Sequence, residues 1–208
     1  EYHNRQKGYK LERNRRMGKI YYVMGKSSSG KDTIYKMLLE RHPQFHTVVP
    51  YTTRPIREGE RDGVEYFFVD AEELHEMQEA EKIIEMRSYN TKCGIWTYFT
   101  ADDGQIDLDR YDYLMIGTLV SYRALREYFG EERLVPIYIE VEDGLRLSRA
   151  LERERRQAEP KYAEMCRRFL ADTEDFSEEN IRAAGIIYRF QNTELEKCAS
   201  EIERHIGV

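Results

Sequence analysis

The chain has 208 residues, 40% of them hydrophobic and 12% aromatic, enough for one packed core with small insertions, which excludes global disorder. Charged residues reach 35% with a net charge of −6, which argues against general electrostatic binding of nucleic acid but leaves room for a local phosphate site. No apolar stretch approaches the roughly 18 residues needed to cross a bilayer, and no secretory signal is visible in a chain that begins at Glu1. Cys93, Cys166 and Cys198 are odd in number and far apart, and neither they nor the histidines have zinc-ligand spacing. Reduced thiols in a cytoplasmic protein are the expectation, with no membrane and no nucleic-acid partner; the sequence leaves the oligomeric state open.

In chain order, residues 1–16 carry Arg5, Lys7, Lys10, Arg13, Arg15 and Arg16 with little apolar content, and read as a basic, frayed leader before Met17. The apolar run at Lys19–Met24 predicts a buried strand, and Thr33–Arg41 predicts a helix. Further strands are expected at Phe45–Val49, Asp112–Gly117, Leu134–Val141 and Ile186–Phe190. They alternate with amphipathic helices at Leu119–Phe129, Asp143–Gln157, Lys161–Asp172 and Thr193–His205. Such alternation predicts a parallel sheet flanked by helices on both faces, with ligands at the carboxyl ends of the strands. Residues 50–100 break the pattern. Strands at Val64–Val69, Ile83–Ser88 and Trp96–Thr100 around a helix at Ala71–Glu79 suggest a small mixed insertion. Arg153–Glu159 is too polar to pack inside and, ending at Pro160, reads as a mobile flap.

The sharpest chemical signal is Gly25-Lys26-Ser27-Ser28-Ser29-Gly30-Lys31-Asp32-Thr33, set between the first strand and the first helix. Glycines at both ends let successive N–H groups turn toward one anion, the helix adds its positive end, and Lys31 adds a charge near the β- and γ-phosphates. The residue after the lysine is ordinarily a Ser or Thr whose hydroxyl meets Mg²⁺. Here it is Asp32, with Thr33 one place later, so both are candidate metal residues. A second signal is Tyr51-Thr-Thr-Arg54-Pro-Ile-Arg57-Glu-Gly-Glu60-Arg-Asp-Gly63-Val-Glu-Tyr66. Two arginine forks three residues apart make a plausible phosphate site, although Glu58, Glu60, Arg61 and Asp62 could balance them in a solvated loop.

Together these two segments resemble guanylate kinase, a P-loop nucleoside monophosphate kinase family. The likeness runs in order across roughly residues 18–208 and is strongest between 20 and 70. The resemblance implies a P-loop NTPase-type core at 17–49 and 101–208, an NMP-binding subdomain at 50–100 and a helical lid at about 150–160. It implies transfer of a phosphoryl group from MgATP to GMP, giving ADP and GDP, within purine nucleotide metabolism. In that likeness Gly25 through Thr33 bind ATP and Asn192 matches an asparagine near the donor, although Asn192 or Thr193 could equally be a helix N-cap. Arg54, Arg57 and Tyr66 would grip the monophosphate, and Glu85 matches the guanine-reading carboxylate. Lys31, Arg54, Arg155, Arg156, Arg167 and Arg168 are the candidate catalytic residues, with Arg149 and Arg153 as further lid-side arginines. The alternative readings are a kinase for a different small acceptor and a guanylate-kinase-like binding module without catalysis.

Departures from the family pattern cluster on the acceptor base pocket. Pro50 stands where the family has a serine that touches guanine. The family's Tyr-Gly-Ser/Thr corresponds to Cys93-Gly94-Ile95, with Trp96 and Tyr98 available to refill the space, and its Asp-x-Asp corresponds to Met115-Ile-Gly117. The expectation is a monophosphate kinase whose guanine preference is weakened or altered.

Overall fold

The first strand, β1 (Ile20–Met24), is buried at every position, so it must be covered on both faces. The protein is described by a computed structural model covering residues 17–91 and 94–208; the basic leader at 1–16 and Cys93 lie outside the described residues. After β1 come α1 (Lys31–Arg41), β2 (Tyr51–Thr52), β3 (Phe67–Phe68), α2 (Ala71–Glu79), β4 (Ile83–Thr91) and β5 (Gly94–Ala101). Then follow β6 (Tyr113–Gly117), α3 (Leu119–Phe129), β7 (Leu134–Glu140), α4 (Asp143–Arg155), α5 (Tyr162–Asp175), α6 (Glu178–Ala183), β8 (Arg189–Gln191) and α7 (Leu195–Ile206).

The core sheet is four-stranded and parallel, in the order β6-β1-β7-β8. Met24 lies opposite Gly117 on one side and Tyr138 on the other, so these carboxyl ends form one row and the Gly25 loop leaves from the middle of it. Strand alternation then divides the core. Ile20, Tyr22 and Met24 pack with Tyr122, Leu125 and Ile181 on one face; Tyr21 and Val23 pack with Ile34, Leu38, Phe190 and Ile202 on the other. The resulting α/β architecture is of P-loop NTPase type. A second, mixed sheet in the order β3-β2-β5-β4 carries α2 over its own small core of Tyr51, Phe99 and Ala101. No helix among the described residues is long and apolar enough to cross a membrane.

Helix starts follow side-chain chemistry. Asp70 and Glu73 form a reciprocal capping box on α2, and Thr118, Glu142 and Ser177 accept first-turn N–H groups of α3, α4 and α6. Gly30, before α1, offers no side chain, which leaves that helix's opening N–H groups facing the loop.

Three strand expectations need correction, the first being Val64–Val69, where residues 63–65 form a turn and only Phe67–Phe68 is a strand. Phe45–Val49 contributes only a parallel bridge between His46 and Tyr113. The Gln105 side chain takes both the N–H and the carbonyl of Val49, so an amide side chain substitutes for a strand neighbour there, and Pro50 follows with no N–H to donate. The last core strand forms at Arg189–Gln191 rather than Ile186–Phe190. Ile187 is 95% exposed, because the chain is still leaving α6 through Gly185 at φ 71° and has not yet joined β7. Helix α6 itself was not expected: at six residues it is too short to show periodicity, and Ser177 is its one clear start signal. The flap expected at Arg153–Glu159 is helical through Arg155.

Ile202, fully buried between α7 and the sheet, offers a check on this packing. Ile202→Ala is expected to lower unfolding free energy by about 2–5 kcal/mol in a denaturant titration. A loss below about 1 kcal/mol would mean that α7 is not seated on the sheet.

Candidate active site

The loop from Gly25 to Thr33 is shaped by close approach. A Cβ on Gly25 would lie 2.5 Å from the Ile139 carbonyl oxygen, and one on Gly30 would lie 2.3 Å from Asn192 Nδ2. Gly30 also sits at φ 84°, in the left-handed region, so both space and conformation require glycine there. Asn192 is buried and donates from Nδ2 to the Ser29 carbonyl at 2.8 Å, while its own carbonyl accepts from Arg149 at 3.0 Å. It is therefore a brace under the loop. Helix α7 starts later, after Glu194, and neither Asn192 nor Thr193 caps it.

A second brace comes from helices α4 and α5 and was invisible in the sequence. The Ser27 N–H donates to Asp172 Oδ2 at 2.8 Å, and the Ser27 carbonyl accepts from Arg146 Nη1 at 3.4 Å. Arg146 is 1% exposed, bonds Asp143 and Asp172, and lies 3.9 Å over the Phe169 ring. Its only sequence signal was the Asp143–Arg146 spacing of three, which is common on exposed helices. The loop is thus held by side chains from distant elements, and one of them, Arg146, also lines the cleft beside it. The hydroxyl oxygens of Ser28 and Ser29 are buried with no hydrogen-bond partner, polar capacity that a ligand or water in the loop would satisfy. Lys31 Nζ lies 3.1 Å from Asp32 Oδ2.

Beside the loop is a cleft of about 600 Å³. Ser27 and Ser28 line it from the loop, Arg57 from the inserted segment, and Arg153, Lys161 and Arg168 from α4, α5 and their connection. Arg168 Nη2 also reaches the Ser27 hydroxyl at 3.4 Å. Of the sequence-identified arginines, Arg57 and Arg168 are brought to this cleft and Arg153 joins them. Of the six candidate catalytic residues only Arg168 lines it; Lys31, Arg54, Arg155, Arg156 and Arg167 do not. Arg155 is exposed, Arg156 faces Glu152 at 3.9 Å, and Arg167 forks onto Glu164 at 2.7 and 2.6 Å on an exposed helix face. The residues at 167 and 168 point apart because they are adjacent on a helix.

Arg54 is placed differently from Arg57. It is 4% exposed and forks onto the Glu60 carboxylate at 2.7 and 2.6 Å, with Tyr66 and Phe68 rings 5.1 and 5.2 Å from its guanidinium carbon. Glu60 additionally accepts the Arg57 N–H at 2.9 Å. The pair therefore closes the turn that presents Arg57. Tyr66 packs against Arg54 and Tyr98 rather than lining the cleft.

Glu85 is buried among polar partners: Thr100 Oγ1 at 3.0 Å, Ser121 Oγ at 3.2 Å, and Arg87. Nearby, a Cβ on Gly117 would meet the Tyr22 hydroxyl at 2.0 Å, so glycine at that position makes room for the tyrosine. Burial pushes the Tyr22 phenol well above its usual range. Pro50 contributes its carbonyl to Phe67 N–H, and Ile95 is exposed.

The Arg54 fork holds the Glu60 carboxyl down to about 2, with the Arg57 N–H adding to the effect. Because folding lowers this pKa from 4.5, the pair's stabilisation is complete above about pH 4.5 and disappears as pH falls through about 2. Glu60→Gln is expected to unfold with a shallower pH dependence across that window. Identical acid-unfolding profiles for the two proteins would show that the pair contributes nothing.

Residues 17–94 match the family described as Guanylate kinase. A guanylate kinase of Frankia casuarinae is 52% identical over 63 residues, covering 30% of this chain and 34% of that protein. A guanylate kinase of Symbiobacterium thermophilum is 35% identical over 125 residues, covering 57% and 55%. The crystal structure of guanylate kinase from Anaplasma phagocytophilum matches with a TM-score of 0.64 over 92% of this chain and 86% of that one. At 20% identity that likeness speaks for the fold. The chain spans about a third to about half of the length of the curated relatives it matches. The glycine-rich loop and the Arg54–Tyr66 segment both fall within the family match, so it is through residues 17–94 that the chain is similar to guanylate kinases.

Proposed function

We propose that the protein is a nucleoside monophosphate kinase that moves the γ-phosphoryl group of MgATP to an acceptor monophosphate, with GMP the leading acceptor. The observation that carries the reading is a single cleft in which the loop residues Ser27 and Ser28 meet Arg57 from the insertion and Arg168 from α5. In this reading residues 17–49 and 101–208 bind the donor, 50–100 the acceptor, and about 150–160 close over both. A cytoplasmic setting suits both these nucleotides and the free thiols of Cys166 and Cys198.

No protein base is needed, because the attacking oxygen belongs to an already ionised phosphate. The chain's task is to align the two phosphates and neutralise the charge on the moving group. The rigid amides of the loop and Lys31 would cradle the donor phosphates. Arg57, presented by the Arg54–Glu60 turn, would hold the acceptor phosphate. Arg168 and Arg153 would close on the group in transit and exclude water. Among the described residues no cluster of three acidic, His or Cys side chains could hold a metal alone. The exposed Asp32 carboxylate and Thr33 hydroxyl at the start of α1 nonetheless fit an ion carried mainly by phosphate oxygens and water. Mg²⁺ bound with ATP would supply charge neutralisation of the β- and γ-oxygens, with Asp32 and Thr33 as its protein contacts.

A coupled assay with MgATP against GMP, dGMP, AMP, CMP and UMP tests the reading directly. Turnover of at least one is expected, and turnover of none would remove the kinase assignment. Lys31→Ala should lower kcat by about 10³-fold or more while leaving monophosphate binding nearly unchanged in calorimetry. Arg57→Ala should chiefly raise the acceptor KM, by about 10-fold or more, without loss of stability. Arg54→Ala should combine a raised acceptor KM with a lowered melting temperature, since it strands Glu60.

A further inference from the structure

Arg87 is a charged residue for which the phosphate-transfer account has no use, and it sits where the acceptor base would be read. It lies two residues beyond Glu85 on β4, on the same face of the sheet. Across the ladder, Glu85 is paired with Thr100 and Arg87 with Tyr98, whose ring contacts Tyr66 at 5.6 Å. Carboxylate, guanidinium and aromatic pair therefore share one surface.

On that surface the carboxylate accepts three hydrogen bonds, from Thr100, Ser121 and Arg87 Nη2, and pairs its charge with Arg87. Its two oxygens offer about four lone-pair positions. Thr100 Oγ1 and Arg87 Nη2 approach Oε1 at 3.0 and 3.3 Å, and Ser121 Oγ and Arg87 Nε approach Oε2, each at 3.2 Å. Glu85's side chain is 3% exposed and Arg87's is 19%, so the arginine is the outer partner. Arg87 is also anchored through Nη1 to Thr118 Oγ1 at 3.0 Å, at the start of α3. Withdrawing the carboxylate to meet a base would leave a largely buried guanidinium without its counter-charge. Of the five N–H groups on a guanidinium, one from Nη2 goes to Glu85 and one from Nη1 to Thr118, while Nε lies 3.2 Å from Glu85 Oε2 without a hydrogen bond. One N–H on each Nη is left over, and two adjacent donors match two adjacent acceptors.

We propose that Arg87 is the specificity-determining residue of the acceptor site, reading the O6/N7 edge of a 6-oxopurine monophosphate, with Glu85 as the positioning residue that holds it. Arginine pairs with O6 and N7 of guanine in this way when it reads bases elsewhere. The 2-amino group of guanine is then not read, so GMP and IMP are equivalent acceptors. This rests on the phosphotransfer reading for its kinetic form only.

The test measures kcat/KM for GMP and IMP, with calorimetric binding of both in parallel, for the wild-type chain, Arg87→Ala and Arg87→Lys. For the wild type, a GMP-to-IMP ratio within about 10-fold is expected; a larger ratio, abolished by Glu85→Gln, would show that Glu85 reads the 2-amino group and would overturn the proposal. Arg87→Lys keeps the charge opposite Glu85 but loses the fork, and should weaken both nucleotides together by about 10-fold. Unchanged affinity for both in a variant that melts like the wild type would also overturn it. Arg87→Ala should free Glu85 and shift the ratio toward GMP; if it melts early, the wild-type ratio and the lysine variant decide. Binding in this pattern without turnover would remove the kinase reading and leave the base-reading claim standing. Absence of binding by either monophosphate would remove both.

Discussion

The site depends on how the peptide planes of the glycine-rich loop are held from outside. Ser27 is gripped on its N–H side by Asp172 and on its carbonyl side by Arg146, and Ser29 is gripped through its carbonyl by Asn192. A loop with glycine at both ends has more conformational freedom to lose than most, and an unbraced one would spend that freedom on ligand binding. Here the ordering is done on folding, by side chains 145 and 163 positions away in the chain. These braces use the peptide groups of Ser27 and Ser29 and leave the hydroxyls of Ser28 and Ser29 without a partner.

The same division of labour appears in the insertion. Two arginines three residues apart look alike in sequence, but the fold assigns them opposite tasks. Arg54 is turned inward under two aromatic rings and neutralised by Glu60, while Arg57, tied to that pair only through its N–H, stays at the cleft. A buried bidentate pair specifies geometry more than it adds stability, and here the geometry specified is the position of the next arginine.

What could be read from the sequence was what is encoded locally. The strand–loop–helix unit at residues 20–41 declares itself through apolar runs, glycine spacing and the following helix period, and α2 and α3 form at their expected bounds. Arg57 and Arg168 were within reach because their segments resembled known ones. Which lid arginine faces inward was not, because a run such as Arg153-Glu-Arg-Arg gives no hint of helix phase relative to the core. Asp172, Arg146 and Arg87 were illegible for a deeper reason. Each acts on a partner reached only after the sheet, helices and insertion have assembled, and none departs from the composition of an ordinary solvated helix or strand. Strand Phe45–Val49 failed for the complementary reason: local propensity was right, but a distant glutamine side chain took the hydrogen bonds.

Charge placement joins the two halves of the site. The chain carries a net charge of −6, yet Arg57, Arg153, Lys161 and Arg168 converge on one cleft. The nearest carboxylates there are already engaged. Glu154 accepts the Lys161 N–H and the Gln157 amide, and Glu164 is forked by Arg167, which itself points away. Like charges facing one another across a cleft repel, and the repulsion is relieved only by an anion that arrives with its own negative charge. An acceptor phosphate alone, or a donor alone, relieves part of it. Both together would relieve most, so on the proposed reading closure would be favoured chiefly when two phosphate-bearing ligands are present. A cleft that coupled closure to double occupancy would separate transfer to an acceptor from loss of the phosphoryl group to water.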